Sequence, residues 1–248
     1  MSILQRLKRH LIPSRSSHDN GPSFYKLSPT CQIPNLGIIY ELYFGQRTDG
    51  CFVEVGAYDG EYASNTSGLA DIGWSGHYIE PVPEYFERCK TRHARNKSIT
   101  VSRYAIGSEE AQVEIHVGGP LSTRRDEAKR NFEILGWAER WFTGEKIQVC
   151  QVTLEDYLSG SEVGPGFELL VIDVEGSEWD VLRDFGIRRW RPQMVIIELH
   201  DQNNNYLNLR HDCNNIVRYF DDNGYKVVYK DFSNTIYVPK SSCPRADV

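Results

Sequence analysis

The sequence predicts an α/β fold: a mostly parallel sheet with helices on both faces, closed by an antiparallel pair. Three observations carry that expectation. Strand-like apolar runs alternate with helical patterns, as βαβ units require. The run FELLVIDVEG (167–176) is the most apolar of the chain, as a strand buried on both faces should be. YKVVYK (225–230) and NTIYVPK (234–240) follow each other closely enough to pair antiparallel at the end. Crossovers in such a sheet are right-handed, and ligands bind beyond the carboxyl ends of the strands where strand order reverses.

The elements follow in order. Pro13, Pro22, Pro29 and Pro34 among Ser, Asn and Gly make an irregular arm over 1–35. Leu36 to Phe44 reads as a short helix and CFVEVG (51–56) as the first strand, bounded by Gly50 and Gly56. Tyr62 to Ile72 reads as a helix, and HYIEP (77–81) as a strand stopped by Pro81. Pro83 to Ala94 is a helix with Pro in its first turn, where the missing N–H is harmless. SITVSRYAI (98–106) is a third strand and AQVEIHVG (111–118) a strand or hairpin arm. Residues 120–146 break the rhythm. They are charged and aromatic, with Trp137 and Trp141 at i, i+4, and read as an inserted helical lid. KIQVCQVTL (146–154) is a strand, with a helical turn over Leu154 to Leu158. Ser177 to Phe185 is a helix, QMVIIELH (193–200) a buried strand, and Arg210 to Asn223 a helix ended by Gly224. The expected organisation is an arm over 1–35, one domain over 36–240 and a tail over 241–248.

Composition narrows the function. The chain has 248 residues, 28 Lys+Arg against 34 Asp+Glu and a net charge of −6, which argues against a nucleic-acid binder relying on a broad basic surface. Six cysteines at 31, 51, 89, 150, 213 and 243 show no CxxC spacing, so they read as buried reduced thiols in a cytoplasmic protein. No apolar stretch reaches the ~18 residues of a membrane span. In the basic leader, Leu4, Leu7, Leu11 and Ile12 share one helical face, compatible with a docking helix or a frayed end. Assembly with further copies of the chain stays open.

Four segments carry chemistry. VEVGAYDG (53–60) runs from a strand through a Gly-rich turn. Its GxxxG spacing departs from the GxGxxG of dinucleotide sites, and Asp59 would repel a pyrophosphate. It suits a ligand bearing an ammonium and hydroxyls, which points to S-adenosylmethionine rather than NAD. Glu80 ends the second strand, where a carboxylate accepts hydrogen bonds from ribose hydroxyls. In IDVEGSEWD (172–180), Asp173 ends the most buried strand and should face the crevice, with Glu175 close by; Glu178 and Asp180 are explained as acids in a helix's first turn. In IIELHDQNNNY (196–206), Glu198 and His200 lie at i, i+2 and can share one side of a strand.

VEVGAYDG, SNT (64–66), LADIGWSGHYIEP (69–81) and IDVEGSEWDVL (172–182) together resemble the FkbM-type methyltransferases, in the same order over about residues 50–200. The resemblance implies a seven-stranded, Rossmann-like class I methyltransferase fold with its last strand antiparallel, using S-adenosylmethionine. It puts Gly56, Asp59 and Gly60 at the methionine end, Glu80 on the ribose, and Ala105 and Ile106 beside the adenine. Glu54, Ala57, Ser64, Asn65, Pro81, Asp173 and Val174 complete the expected cofactor set. The reaction implied is O-methylation of a sugar, glycan precursor or other small molecule.

A hydroxyl with a pKa near ~16 needs help to attack, so either His200 acts as general base or Asp173, His200 and Asp201 hold Mg²⁺. Asp173, Glu198 and His200 are the expected catalytic residues. Glu175, Arg124, Arg125, Trp137, Trp141 and Asn203 are the expected acceptor contacts, since aromatic rings stack on sugars and arginines fit phosphate or carboxylate. An acidic or phosphorylated acceptor fits that set. Two rivals stay open: an NAD-linked oxidoreductase or epimerase on a similar sheet, and a non-catalytic cofactor-binding interaction module.

Overall fold

The computed structural model describes residues 23–202 and 208–245. The expected leader helix and Asn203 lie outside them. The described chain runs α1 (Leu36–Phe44), β1 (Cys51–Val55), α2 (Ser67–Asp71), β2 (Ser75–Ile79), α3 (Pro83–Arg92), β3 (Ile99–Ser102), β4 (Ala105–Gly107) and β5 (Ala111–His116). It continues through α4 (Asp126–Ile134), a 3₁₀ turn (Glu139–Trp141), β6 (Lys146–Thr153), α5 (Leu154–Ser159), β7 (Leu169–Ile172), α6 (Glu178–Leu182) and α7 (Ile187–Trp190). β8 (Met194–Glu198), α8 (Arg210–Asp222), β9 (Tyr225–Lys230) and β10 (Asn234–Pro239) close it.

Seven strands form the main sheet in the order β3-β2-β1-β7-β8-β10-β9. β1 pairs in parallel with β2 on one side and β7 on the other. Strand order therefore reverses at the β1/β7 boundary, which is where such sheets open a crevice. β10 alone runs antiparallel, against both β8 and β9.

Alternation along the central strands splits the core in two. Val53, Val55, Leu170, Ile172, Val195 and Ile197 face α5 to α8, whose Leu154, Val181, Trp190 and Phe220 cover them. Phe52, Leu169, Val171, Met194 and Ile196 face the opposite way, onto Tyr40, Phe44, Leu69 and Trp74. Both faces of β7 and β8 are buried, which is why their sequences are apolar without interruption. The arm joins this second layer, since Tyr25 and Ile33 are fully buried in it.

A second sheet, β4-β6-β5, stands apart from the first. It corrects the reading of 98–106 as one strand. β3 adds to β2 at the edge of the main sheet. After Arg103 and Tyr104 the chain leaves that sheet, and β4 pairs with β6 instead. No Gly, Pro or Asn marks the break within 98–106, so the change of partner was invisible there.

Other boundaries shift for local reasons. The helix expected over Tyr62 to Ile72 begins only at Ser67, because Ala63 sits at φ 60 and the Ser64 hydroxyl takes the amides of Thr66 and Ser67. Trp137 and Trp141 do not share one helix: α4 ends at Ile134 and Gly136 turns the chain at φ 66. Six free cysteines are present, but Cys150 and Cys243 are exposed rather than buried. No helix among the described residues is long and apolar enough to cross a membrane.

Candidate active site

The chain leaves β1 through a turn clasped by its two neighbours. Gly56 and Ala57 donate their amides to the Ile79 carbonyl of β2, at 3.0 and 3.2 Å, while Asp173 after β7 donates to the Val55 carbonyl at 3.0 Å. Gly56 adopts φ +87, and a Cβ there would overlap the Asp173 carbonyl oxygen. Glycine is therefore required by backbone approach within the protein. Gly60 is required for another reason: its Cβ would meet Cys89 and His93 of the α3 end at 2.8 Å.

Glu80 ends β2 with 5% of its surface exposed. Its carboxylate accepts from the amides of Tyr58 (2.9 Å) and Val82 (2.8 Å). Burial pushes its pKa up to about 8, against the pull of those two amides. Both oxygens keep a spare lone pair. Tyr58 reaches its position at φ 49, a strained backbone held by the Glu80 bond.

A cleft of about 580 Å³ lies over this point, counting space open to solvent. Gly56, Glu80, Pro81, Ala105 and Ile106 line it. Asp173, Val174 and Glu175 join them from the turn after β7, directly against Gly56, and Ser122 and Arg124 complete the lining. The small sheet supplies the cover: Ile115 of β5 lines the cleft and packs with Val82, Tyr85 and Ala105.

The DVEG turn is bent from below. Glu178 accepts from the amides of Gly176 (2.9 Å) and Val174 (3.2 Å), and Glu175 takes φ 55. Asp173, Glu175 and Glu198 thereby offer oxygens within 4.8 Å of one another. Burial, then the mutual repulsion of these acids and Glu178, holds Asp173 and Glu175 well above the usual carboxylate range. His200 lies 3.2 Å from Glu198. Burial opposes its charge, but the Glu198 carboxylate prevails and raises its pKa.

The expected site residues divide. On the cleft are Gly56, Glu80, Pro81, Ala105, Ile106, Asp173, Val174, Glu175 and Arg124. The Asp59 carboxylate turns away, accepting from the amides of Glu61 and Tyr62. Glu54 is buried beneath the turn, bonded to the Thr66 and Ser64 hydroxyls. Ala57 and Asn65 are buried: Ala57 belongs to the second core layer, and the Asn65 carbonyl binds Tyr40.

Arg125 is spent on Asp212 at 2.6 Å, and Arg124 holds Gln151, Ser177 and Asp180 while reaching the rim. Trp137 packs beside Phe132 and Leu209, and Trp141 against Gly119. Asp201 is paired with Lys230, so the expected Asp173–His200–Asp201 metal set does not form; the oxygens that do converge are those of Asp173, Glu175 and Glu198. Hard oxygen donors of that kind suit Mg²⁺ better than zinc.

Sequence reasoning missed Gln32, whose Nε2 donates to Asp173 at 3.3 Å from 141 residues away, and Tyr58, Tyr104, Ile115 and Ser122 on the cleft. Tyr58 lay inside a recognised motif; the others carried no signal.

Residues 54–227 match the methyltransferase FkbM domain. The chain belongs to the FkbM methyltransferase family. What that match describes is a methyltransferase domain. Among solved structures this FkbM protein is similar to the FkbM methyltransferase of Methylobacillus flagellatus KT, at 18% identity and TM-score 0.45, covering 80% of this chain and 47% of that one. It thus spans about half the length of that relative. It is also similar to a putative O-methyltransferase of Klebsiella pneumoniae, at 8% identity and TM-score 0.46, covering 82% and 77%. A third is Aeropyrum pernix fibrillarin in complex with S-adenosyl-L-methionine, at 11% identity and TM-score 0.41, covering 77% and 67%. No curated protein sequence matches the chain.

Proposed function

We propose that this methyltransferase transfers the methyl group to a hydroxyl of a sugar, a glycan precursor or another small polar molecule. One observation carries the reading. A single cleft joins a buried, amide-fixed carboxylate on Glu80 to a second group of carboxylates around Glu175. The first suits a ribose diol, with Ala105 and Ile106 as apolar walls for the adenine. The second suits removal of a hydroxyl proton.

When bound, the cofactor supplies a methyl carbon on a sulfonium. Balance requires that the acceptor oxygen lose its proton and form the new C–O bond, while the C–S bond breaks and its electron pair stays on sulfur. The chain's share is alignment, which lowers the barrier by several kcal/mol at order of magnitude, and the proton. In this reading Glu175, which lines the cleft together with Asp173, takes that proton. Glu198 stands between it and His200, so His200, first expected to be the base itself, acts through Glu198 as a positioning residue. Arg124 and Ser122 at the rim favour an acceptor with hydroxyls or an anionic group.

Calorimetry with S-adenosylhomocysteine, followed by transfer of labelled methyl to a panel of sugars, sugar phosphates and other hydroxylated compounds, tests the proposal. Binding without transfer to any hydroxyl removes the O-methylation reading. A second reading, Mg²⁺ on the acceptor oxygen, is favoured by the three carboxylates within 4.8 Å. Loss of transfer in EDTA that Mg²⁺ restores supports it; full rate in EDTA removes it.

A further inference from the structure

Resting on the cofactor reading above, we propose that Gln32 and Asp173 form a recognition pair for the α-ammonium of the cofactor's amino-acid end. The arm is pinned where this requires it. Cys31 closes a turn on the Ser28 carbonyl at 3.0 Å, and the Ser28 hydroxyl donates to Glu61 at 2.8 Å. The Thr30 hydroxyl donates to the Glu61 carbonyl at 3.2 Å and accepts from the Ala63 amide at 3.0 Å. Ile33, fully buried, anchors the other side. Gln32 between them spends its Nε2 on Asp173 Oδ2 at 3.3 Å.

That bond leaves two acceptors over. Gln32 Oε1 and Asp173 Oδ1 are both buried and neither has a hydrogen-bond partner. A buried acceptor left unpaired costs about 1–3 kcal/mol, so one on each member of a hydrogen-bonded pair indicates a missing donor. Electrostatics says what kind. Glu175 and Glu198 offer oxygens within 4.8 Å of an Asp173 oxygen, so the point favours a cation over a neutral hydroxyl. Place says which cation. The Asp173 carbonyl closes on Gly56 in the turn after β1, and both residues line the same cleft as Glu80. With the adenosine held at Glu80, the proposal seats the amino-acid arm on that turn. The ammonium brings three donors and one charge, and an amide oxygen beside a carboxylate oxygen takes two of them.

The test compares two ligands by calorimetry in EDTA, so that no divalent ion contributes. One is S-adenosylhomocysteine. The other is its deaminated analogue, the 3-carboxypropyl thioether of adenosine, which keeps the carboxylate and loses only the ammonium. Gln32→Leu should weaken S-adenosylhomocysteine by about 10-fold or more and leave the deaminated analogue within about 2-fold. Asp173→Asn should show the same split. Retained binding of the analogue certifies that each variant is folded. Equal weakening of both ligands, or of neither, overturns the ammonium assignment while leaving the cofactor cleft standing. Failure of the unmodified protein to bind either ligand overturns the cleft reading itself.

Discussion

A carboxylate gains its use here from what surrounds it. Glu80 is fixed by two amides and keeps free lone pairs; Glu80→Gln turns one of those acceptors into a donor facing an amide, so it should cost about 1–3 kcal/mol of stability and weaken S-adenosylhomocysteine by about 10- to 100-fold, read by calorimetry on the folded variant. An unchanged affinity would move the ribose elsewhere. If Glu175 takes the proton as proposed, Glu175→Gln should lower kcat by roughly 10²- to 10⁴-fold and leave cofactor affinity nearly constant. If the rate survives, proton removal belongs to another group. Gly56→Ala should destabilise the protein by about 2–4 kcal/mol, since the added methyl meets the Asp173 backbone and takes a φ of +87; thermal unfolding measures it.

At the level of elements, each motif needs a partner far away in sequence. The DVEG turn is shaped by Glu178 of α6, and its far side is held by the Thr123 hydroxyl on the Glu175 carbonyl at 2.8 Å. Arg124 then ties the rim to β6 through Gln151 and to α6 through Asp180. β10 is joined to α8 by the stacked rings of Phe220 and Tyr237, with centroids 4.0 Å apart and planes at 14°. Phe220→Ala should cost about 3–5 kcal/mol, seen as a lower urea midpoint, with S-adenosylhomocysteine affinity unmoved because the pair lies away from the cleft. A loss of affinity equal to the loss of stability would mean that the cleft and this layer unfold together.

Across the whole molecule, the burial of acids couples stability to pH. Glu54 is pushed up to about 7 and Glu80 to about 8, both chiefly by burial. Each binds more proton in the folded chain than in the unfolded one between its ordinary range near 4.5 and those values. Their contribution is therefore complete at mildly acidic pH and is lost as pH rises towards 8. By these two groups the ligand-free protein should lose on the order of 6 kcal/mol between pH 5 and pH 8, and Glu80→Gln should flatten the slope. A melting temperature that rises over this interval would contradict the burial of ionisable acids described here.

Much of this was legible in the chain. Apolar alternation and the unbroken LLVI and MVIIE runs required a sheet buried on both faces, because no other element hides such strands. Strand-end position picked out Glu80, Asp173 and Glu175, since a polar residue that closes an apolar strand has few places to go. What periodicity could not supply was partnership. It could not show that Ala105–Gly107 leaves the sheet, that Asp59 would cap its own turn, or that Asp201 would be claimed by Lys230. Nor could it bring Gln32 to Asp173 across 141 residues. Local pattern records which groups must be hidden from water. Only packing in three dimensions decides which of the hidden groups meet, because hydrogen bonds and charges act over a few ångströms of space and not along the chain.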